Sequence, residues 1–180
     1  MRIISGKYKG RYIPVRKNFP SRPTTDFAKE NLFNIINNYF DFDDLQVLDL
    51  FSGTGSISYE FASRGAWVDL VEKDFCSIEF IREVIHDLQF TNIKPYKTDV
   101  FRALPKLNKK YDLVFADPPY TMSNIAVLPD LIFDLALLNS EGWFILEHSD
   151  KFTFNSHQKF SQLRKYGSVH FSIFTNKKDK

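Results

Sequence analysis

Four consecutive residues, Asp117-Pro118-Pro119-Tyr120, carry the most specific chemical signal in the sequence. Two prolines in a row fix φ and remove two N–H donors, so the segment is rigid and its carbonyls point in set directions. A carboxylate and a backbone carbonyl can together accept both hydrogens of one NH2 group. That grip favours a pyramidal nitrogen and exposes a lone pair otherwise delocalised into an aromatic ring. A neighbouring tyrosine can stack on an extruded base, a contact worth about 1–3 kcal/mol. Holding donor and acceptor in line supplies much of the remaining rate. Asp117 can also take the surplus proton. The alternative is a loop in which two prolines merely end a strand, so the elements around it decide.

Those elements alternate. QVLDLF (46–51), WVDLVE (67–72), IKPYK (93–97), YDLVFAD (111–117) and GWFILEHS (142–149) read as strands. Helical stretches are expected from the SGTG turn to about Arg64, over 74–89, near 100–104 and over 125–138. Strands alternating with helices imply parallel βαβ units and a sheet covered on both faces. Residues 160–166 and 168–175, around Gly167, break the alternation and predict an antiparallel pair at the sheet edge. Upstream, residues 1–16 read as a β-hairpin turning at Gly6–Gly10, and 17–23 as a loop containing Pro20 and Pro23. Thr24 or Thr25 can cap a helix over 26–40, whose face is Ala28, Leu32, Ile35, Ile36, Tyr39 and Phe40. The expected division is an appendage over 1–23 and a main domain over 24–180. The tetrad then follows the fourth strand, where an open α/β sheet binds its ligands.

Polar residues gather at the other strand ends too. The first strand runs into Asp49-Leu50-Phe51-Ser52-Gly53-Thr54-Gly55. Its glycines permit a tight turn close to a ligand, but a third glycine is missing, so the dinucleotide fingerprint is not met. Glu72, at the end of the second strand, can accept hydrogen bonds from two ribose hydroxyls. Asp99, after the third, could accept from an adenine amine, cap the helix that begins at Val100, or do both. Asp49, the loop from Phe51 to Gly55, Glu72 and Asp99 together resemble the class I S-adenosylmethionine-dependent methyltransferases. The resemblance implies a Rossmann-like, mostly parallel seven-stranded sheet with helices on both faces and S-adenosylmethionine as cofactor. Glu72 would contact its ribose, Asp99 the adenine and Phe51–Gly55 the methionine part, with Asp49 and Val100 also in the cofactor site. The tetrad is similar to the [DN]PP[YFW] motif of amino-methyltransferases, which names the reaction rather than the substrate.

Charge points to the substrate. Residues 1–30 hold eight Lys/Arg against two acids, whereas the rest of the chain is net acidic. Such asymmetry suits a local polyanion contact, though a solvated basic arm is as good an explanation. Arg2 to Arg11 (RIISGKYKGR), Arg22-Pro23-Thr24-Thr25-Asp26 and Glu30-Asn31-Leu32-Phe33-Asn34 resemble the bacterial 16S rRNA guanine-N2 methyltransferases of the RsmD family, with the motifs in the family's order. The resemblance implies transfer to guanine 966 of 16S rRNA in the small subunit or an assembly intermediate. Lys7, Lys9, Arg11 and Arg22 would then hold phosphates without reading sequence. Two departures stand out: Ser5-Gly6 replaces a glycine pair, and Phe27 follows RPTTD where basic residues are usual, so that only Lys29 remains of them.

Other classes recede. Cys76 is the single cysteine and is expected to be partly buried; it excludes an internal disulfide. His86, His148, His157 and His170 lack metal spacing. Glu147-His148 ends a strand and could border the substrate, but strand-end polarity suffices. The tail 176–180 reads as frayed. No apolar stretch approaches the ~20 residues of a membrane span, and the first residues lack the apolar segment of a secretion signal. A cytoplasmic monomer is expected. A DNA adenine-N6 methyltransferase, and a non-catalytic RNA-binding module on the same fold, stay open as alternatives.

Overall fold

The computed structural model describes residues 1–15 and 26–176. Pro20, Arg22, Pro23, the candidate caps Thr24 and Thr25 and the end of the tail lie outside the described residues. Five parallel strands come first: β1 (Gln46–Leu50), β2 (Trp67–Glu72), β3 (Ile93–Lys97), β4 (Tyr111–Ala116) and β5 (Leu138–His148). β6 (Phe160–Tyr166) and β7 (Val169–Thr175) follow as an antiparallel pair. The sheet order is β3-β2-β1-β4-β5-β7-β6, so the last strand inserts beside β5 and the hairpin completes the seven-stranded sheet.

The central strands are buried on both faces, which explains their near-continuous apolar runs. Val47, Leu113, Phe115 and Ile145 face one core, with α1 (Asp26–Asn37), α2 (Ser56–Ser63) and α3 (Phe75–Asp87) packed over it. Leu48, Leu50, Val114, Ala116 and Leu146 face the other, covered by α4 (Val100–Ala103) and α5 (Leu128–Asp134). Strand order reverses between β1 and β4, and this opens a crevice beyond their carboxyl ends.

Several expected boundaries move. The helix expected over 26–40 stops at Asn37, because Asn38, Tyr39 and Phe40 turn back onto the carbonyls of Ile35 and Ile36. The helix expected over 125–138 is a 3-10 turn (Ile125–Val127) followed by α5, with Pro129 in its first turn. β5 begins at Leu138, four residues early, because Glu141 at φ 65° carries the strand through an irregularity. The expected N-terminal hairpin reverses as foreseen, but among its described residues, 1–15, it forms one isolated bridge, Arg2–Tyr12, and no regular strand. Gly6 and Gly10 both take left-handed φ values there.

The N-terminal loop is fastened to α2 by a buried charge cluster. Glu60 is fully buried and accepts from the Ile4 and Ser5 N–H groups at 2.7 and 3.0 Å and from Arg64 Nε at 3.0 Å. Lys29, also buried, lies 4.0 Å from Glu60 and donates to the Arg2 carbonyl and to Ser56 Oγ. Gly6 has no room for a side chain, since a Cβ would lie 1.8 Å from the Ser63 carbonyl.

Candidate active site

The crevice encloses about 590 Å³ and is lined from the ends of β1, β2, β4 and β5. Its floor is the loop after β1. Phe51 (φ 60°) and Gly53 (φ 52°) are left-handed, an arrangement that costs a non-glycine residue about 1–2 kcal/mol and marks a loop held by its surroundings. Ser52 Oγ donates to the Asp49 carbonyl at 3.0 Å, and Gly53 N–H donates to Glu72 Oε2 at 2.9 Å. Glu72 Oε1 accepts from Asp74 N–H at 2.7 Å. Glu72 thus locks the glycine loop to the end of β2, and its oxygens keep further lone pairs for a ligand.

Asp49 is buried and accepts from the Ser58 hydroxyl on α2. Burial pushes its carboxyl up to about 7, although the Ser58 bond pulls the other way. Asp117 lies half-buried just past β4, and its withdrawal from bulk water likewise raises it to about 7. Pro118, Pro119 and the largely exposed Tyr120 continue along the wall. The Pro119 carbonyl accepts from Met122 N–H at 2.8 Å, which closes the turn after the tetrad.

The structure brings Asp49, Phe51, Ser52, Gly53, Thr54, Glu72, Val100 and the whole tetrad around one space. Two expected members stand back from it. Gly55 (φ 78°) serves packing, since a Cβ there would meet the Tyr59 ring at 2.6 Å. Asp99 caps α4 by accepting from Phe101 N–H at 3.0 Å, while its neighbours Thr98 and Val100 form the wall.

Of the basic residues, Lys7, Lys9 and Arg11 are exposed on the N-terminal loop, and Arg22 lies outside the described residues. The loop follows α2. Met1 meets Thr54 Oγ1 at the cleft end, and Lys7 N–H meets the Ser63 carbonyl at the other, a span of about 12 Å for eight helical residues. Lys29 corrects an expectation, because it is sealed in the Glu60 cluster and is no surface cation. Tyr8 packs on Phe90 at 4.5 Å, whereas Tyr12 is exposed. Cys76 is exposed rather than partly buried.

Glu147, which strand-end polarity alone could explain, does border the cleft. It is 4% exposed, lines the cleft, and its Oε2 has no hydrogen-bond partner. Burial first, and the neighbouring Asp117 charge second, raise it to about 9. Its isolated position as an acid ending the apolar run WFIL was the available signal. Adjacent His148 is also buried, but both ring nitrogens are engaged, by the Ser149 carbonyl and the Ser172 hydroxyl. Ser168 and Val169, at the β6–β7 turn, also reach the cleft.

Among the described residues the lining holds five carboxyl groups, Asp49, Glu72, Asp74, Asp117 and Glu147, against one cation, Lys73. Their acceptor oxygens suit a ligand bearing several hydroxyl and ammonium hydrogens.

Residues 1–175 match the model of a family described as Conserved hypothetical protein 95. A curated relative from Escherichia coli strain K12, Ribosomal RNA small subunit methyltransferase D, is 30% identical over 82% of this chain and 74% of its own. The structure of a putative methyltransferase from Escherichia coli, yhhF, superposes with a TM-score of 0.84 at 25% identity, covering 98% of this chain and 98% of the other. An RNA methyltransferase from Salinibacter ruber, solved with S-adenosyl-L-homocysteine, superposes with a TM-score of 0.67 at 16% identity over 88% and 96%. The shared fold is the Rossmann-like class I methyltransferase fold.

Proposed function

The chain belongs to the Conserved hypothetical protein 95 family, and from that premise we propose that it is an S-adenosylmethionine-dependent methyltransferase of ribosomal RNA. Its target is the exocyclic N2 amine of a guanine, guanine 966 of 16S rRNA, in the small subunit or an assembly intermediate. The observation that carries this is Asp117 at the mouth of β4, its carboxyl raised by withdrawal from water, with Pro118, Pro119 and Tyr120 following along the same cleft.

The cleft fits the cofactor. The Asp49 and Asp74 carboxyls would complement a sulfonium and an ammonium group, and Glu72, with both oxygens anchored, would accept from the ribose hydroxyls. Asp49 and the Phe51–Thr54 loop would hold the methionine end, and Val100 would lie against the adenine. When bound, S-adenosylmethionine supplies an electrophilic methyl carbon whose bond to sulfur breaks as the amine nitrogen bonds to it.

The protein's share is to hold and deprotonate the amine. Asp117 accepts one amine hydrogen, and the Pro118 carbonyl is the tetrad's acceptor for the other. Tyr120 stacks on the base. As the new N–C bond forms, the nitrogen sheds a proton to Asp117, whose raised value suits that task near neutral pH. Residues 1–23 would be the RNA appendage. Lys7, Lys9 and Arg11 would track phosphates along α2, away from the reacting base.

The test supplies labelled cofactor with undermodified small subunits, naked rRNA and DNA in parallel, followed by mapping of the methylated base. Label on a single 16S rRNA guanine supports the proposal. Label on DNA adenine alone overturns it in favour of an adenine-N6 enzyme, and cofactor binding without transfer overturns it in favour of a binding module.

A further inference from the structure

Glu147 is the buried acid of the cleft that the chemistry above leaves without a task. Buried polar atoms without partners are rare in native folds and usually mark a use. Among the described residues only Glu147 Oε2 and the Tyr59 hydroxyl are so placed, and Tyr59 does not line the cleft. The β4–β5 register pairs Ala116 with Leu146. Asp117 and Glu147 are therefore the next positions on adjacent parallel strands, and both open onto the same space.

We propose that Glu147 reads the ring edge of the substrate base, bonding the N1–H and O6 of a guanine whose N2 amine lies against Asp117. This rests on the guanine-N2 activity proposed above and names the residue that selects the base.

The chemistry of the two edges matches. Burial and the Asp117 charge keep Glu147 protonated at neutral pH. A neutral carboxyl presents one O–H donor beside one carbonyl acceptor. The lactam edge of guanine presents O6 as acceptor beside N1–H as donor, so two parallel hydrogen bonds form and Oε2 gains its partner. Adenine, with its reactive amine in the same place, offers a ring-nitrogen acceptor and then a C–H, which supports one bond at most. A site built to satisfy buried polar groups rejects the analogue that leaves them unpaired. The base is thereby selected without a separate recognition domain.

The experiment uses small subunits reconstituted around a ligated synthetic RNA segment carrying guanine or 2-aminopurine at the methylated position. 2-Aminopurine keeps the reactive amine and lacks both N1–H and O6. The wild-type protein should favour guanine by about tenfold or more in kcat/KM. Glu147→Leu should bring the ratio to within about threefold of unity through loss of rate on guanine, with cofactor affinity reporting that the variant is folded. Glu147→Gln, whose amide carries the same donor–acceptor pair, should keep the preference. An unchanged ratio in Glu147→Leu, a lost one in Glu147→Gln, or no preference in the wild type overturns the assignment. Failure of the wild type to methylate the guanine particle at all overturns instead the activity on which it rests.

Discussion

Asp117 and Glu147 sit one position beyond the Ala116–Leu146 pair of two adjacent parallel strands, the first half-buried and the second buried. Loss of hydration raises both, and the Asp117 charge raises Glu147 further, so Asp117 gives up its proton first and Glu147 later.

Methyl transfer under single-turnover conditions should therefore follow a bell. The rate rises through about 7 as Asp117 ionises and can accept an amine hydrogen, and it falls above about 9 as Glu147 loses its O–H donor. In Glu147→Gln the acid limb should remain and the alkaline limb should vanish. An alkaline limb unchanged in that variant would assign it to another group.

The same residues make a stability prediction of definite sign. A carboxyl raised in the folded state is protonated in both states below its ordinary value, so it imposes no penalty there. Above that value the unfolded chain ionises first, and stability falls as pH rises toward the folded value. For Glu147 the window runs from about 4.5 to about 9, at up to about 1.4 kcal/mol per pH unit. Glu147→Gln should gain stability relative to wild type across that window in denaturant titrations. A gain that is flat from pH 5 to pH 9 would contradict the buried, protonated state.

Cofactor affinity should depend on pH through Asp49. Burial raises this acid to about 7, and a cationic ligand favours its ionised form. Calorimetry should show S-adenosylmethionine binding weakening as pH drops below about 7, while S-adenosylhomocysteine, which lacks the sulfonium charge, changes less. Parallel profiles would place the sulfonium away from Asp49.

The cluster under the N-terminal loop can be broken at one residue. Glu60→Ala removes the acceptor of two backbone N–H groups and leaves Lys29 buried without its carboxylate. Loss of one partner of a buried pair costs about 3–5 kcal/mol. Hydrogen exchange over residues 3–13 should accelerate together with that global loss, and unchanged protection there would mean that the loop is held by Ile3 and Ile13 instead.

What could be read from the residues was set by period and spacing. Strands buried on both faces leave uninterrupted apolar runs, so β1, β2 and β4 and the loop ends that follow them were legible, as were Asp49, Glu72 and Asp117. Residues whose neighbours come from distant segments were not. Lys29 looks like a surface cation until α2 brings Glu60 to it. Gly55 looks like part of a ligand loop until Tyr59 folds under it. Asp99 could serve as cap, as ligand or as both, and the structure shows the cap. Glu147 stands thirty residues from Asp117 in sequence, and only the β4–β5 register brings the two side by side.

The most direct measurement is nucleoside mass analysis of small-subunit rRNA after incubation with S-adenosylmethionine and either wild-type protein or Asp117→Ala. The wild type should leave one N2-methylguanosine per particle. Asp117→Ala should slow its formation by about 10²–10⁴-fold with cofactor affinity kept. Methylation of adenine or cytosine instead, or transfer undiminished in Asp117→Ala, would contradict an amine held and deprotonated by this carboxylate.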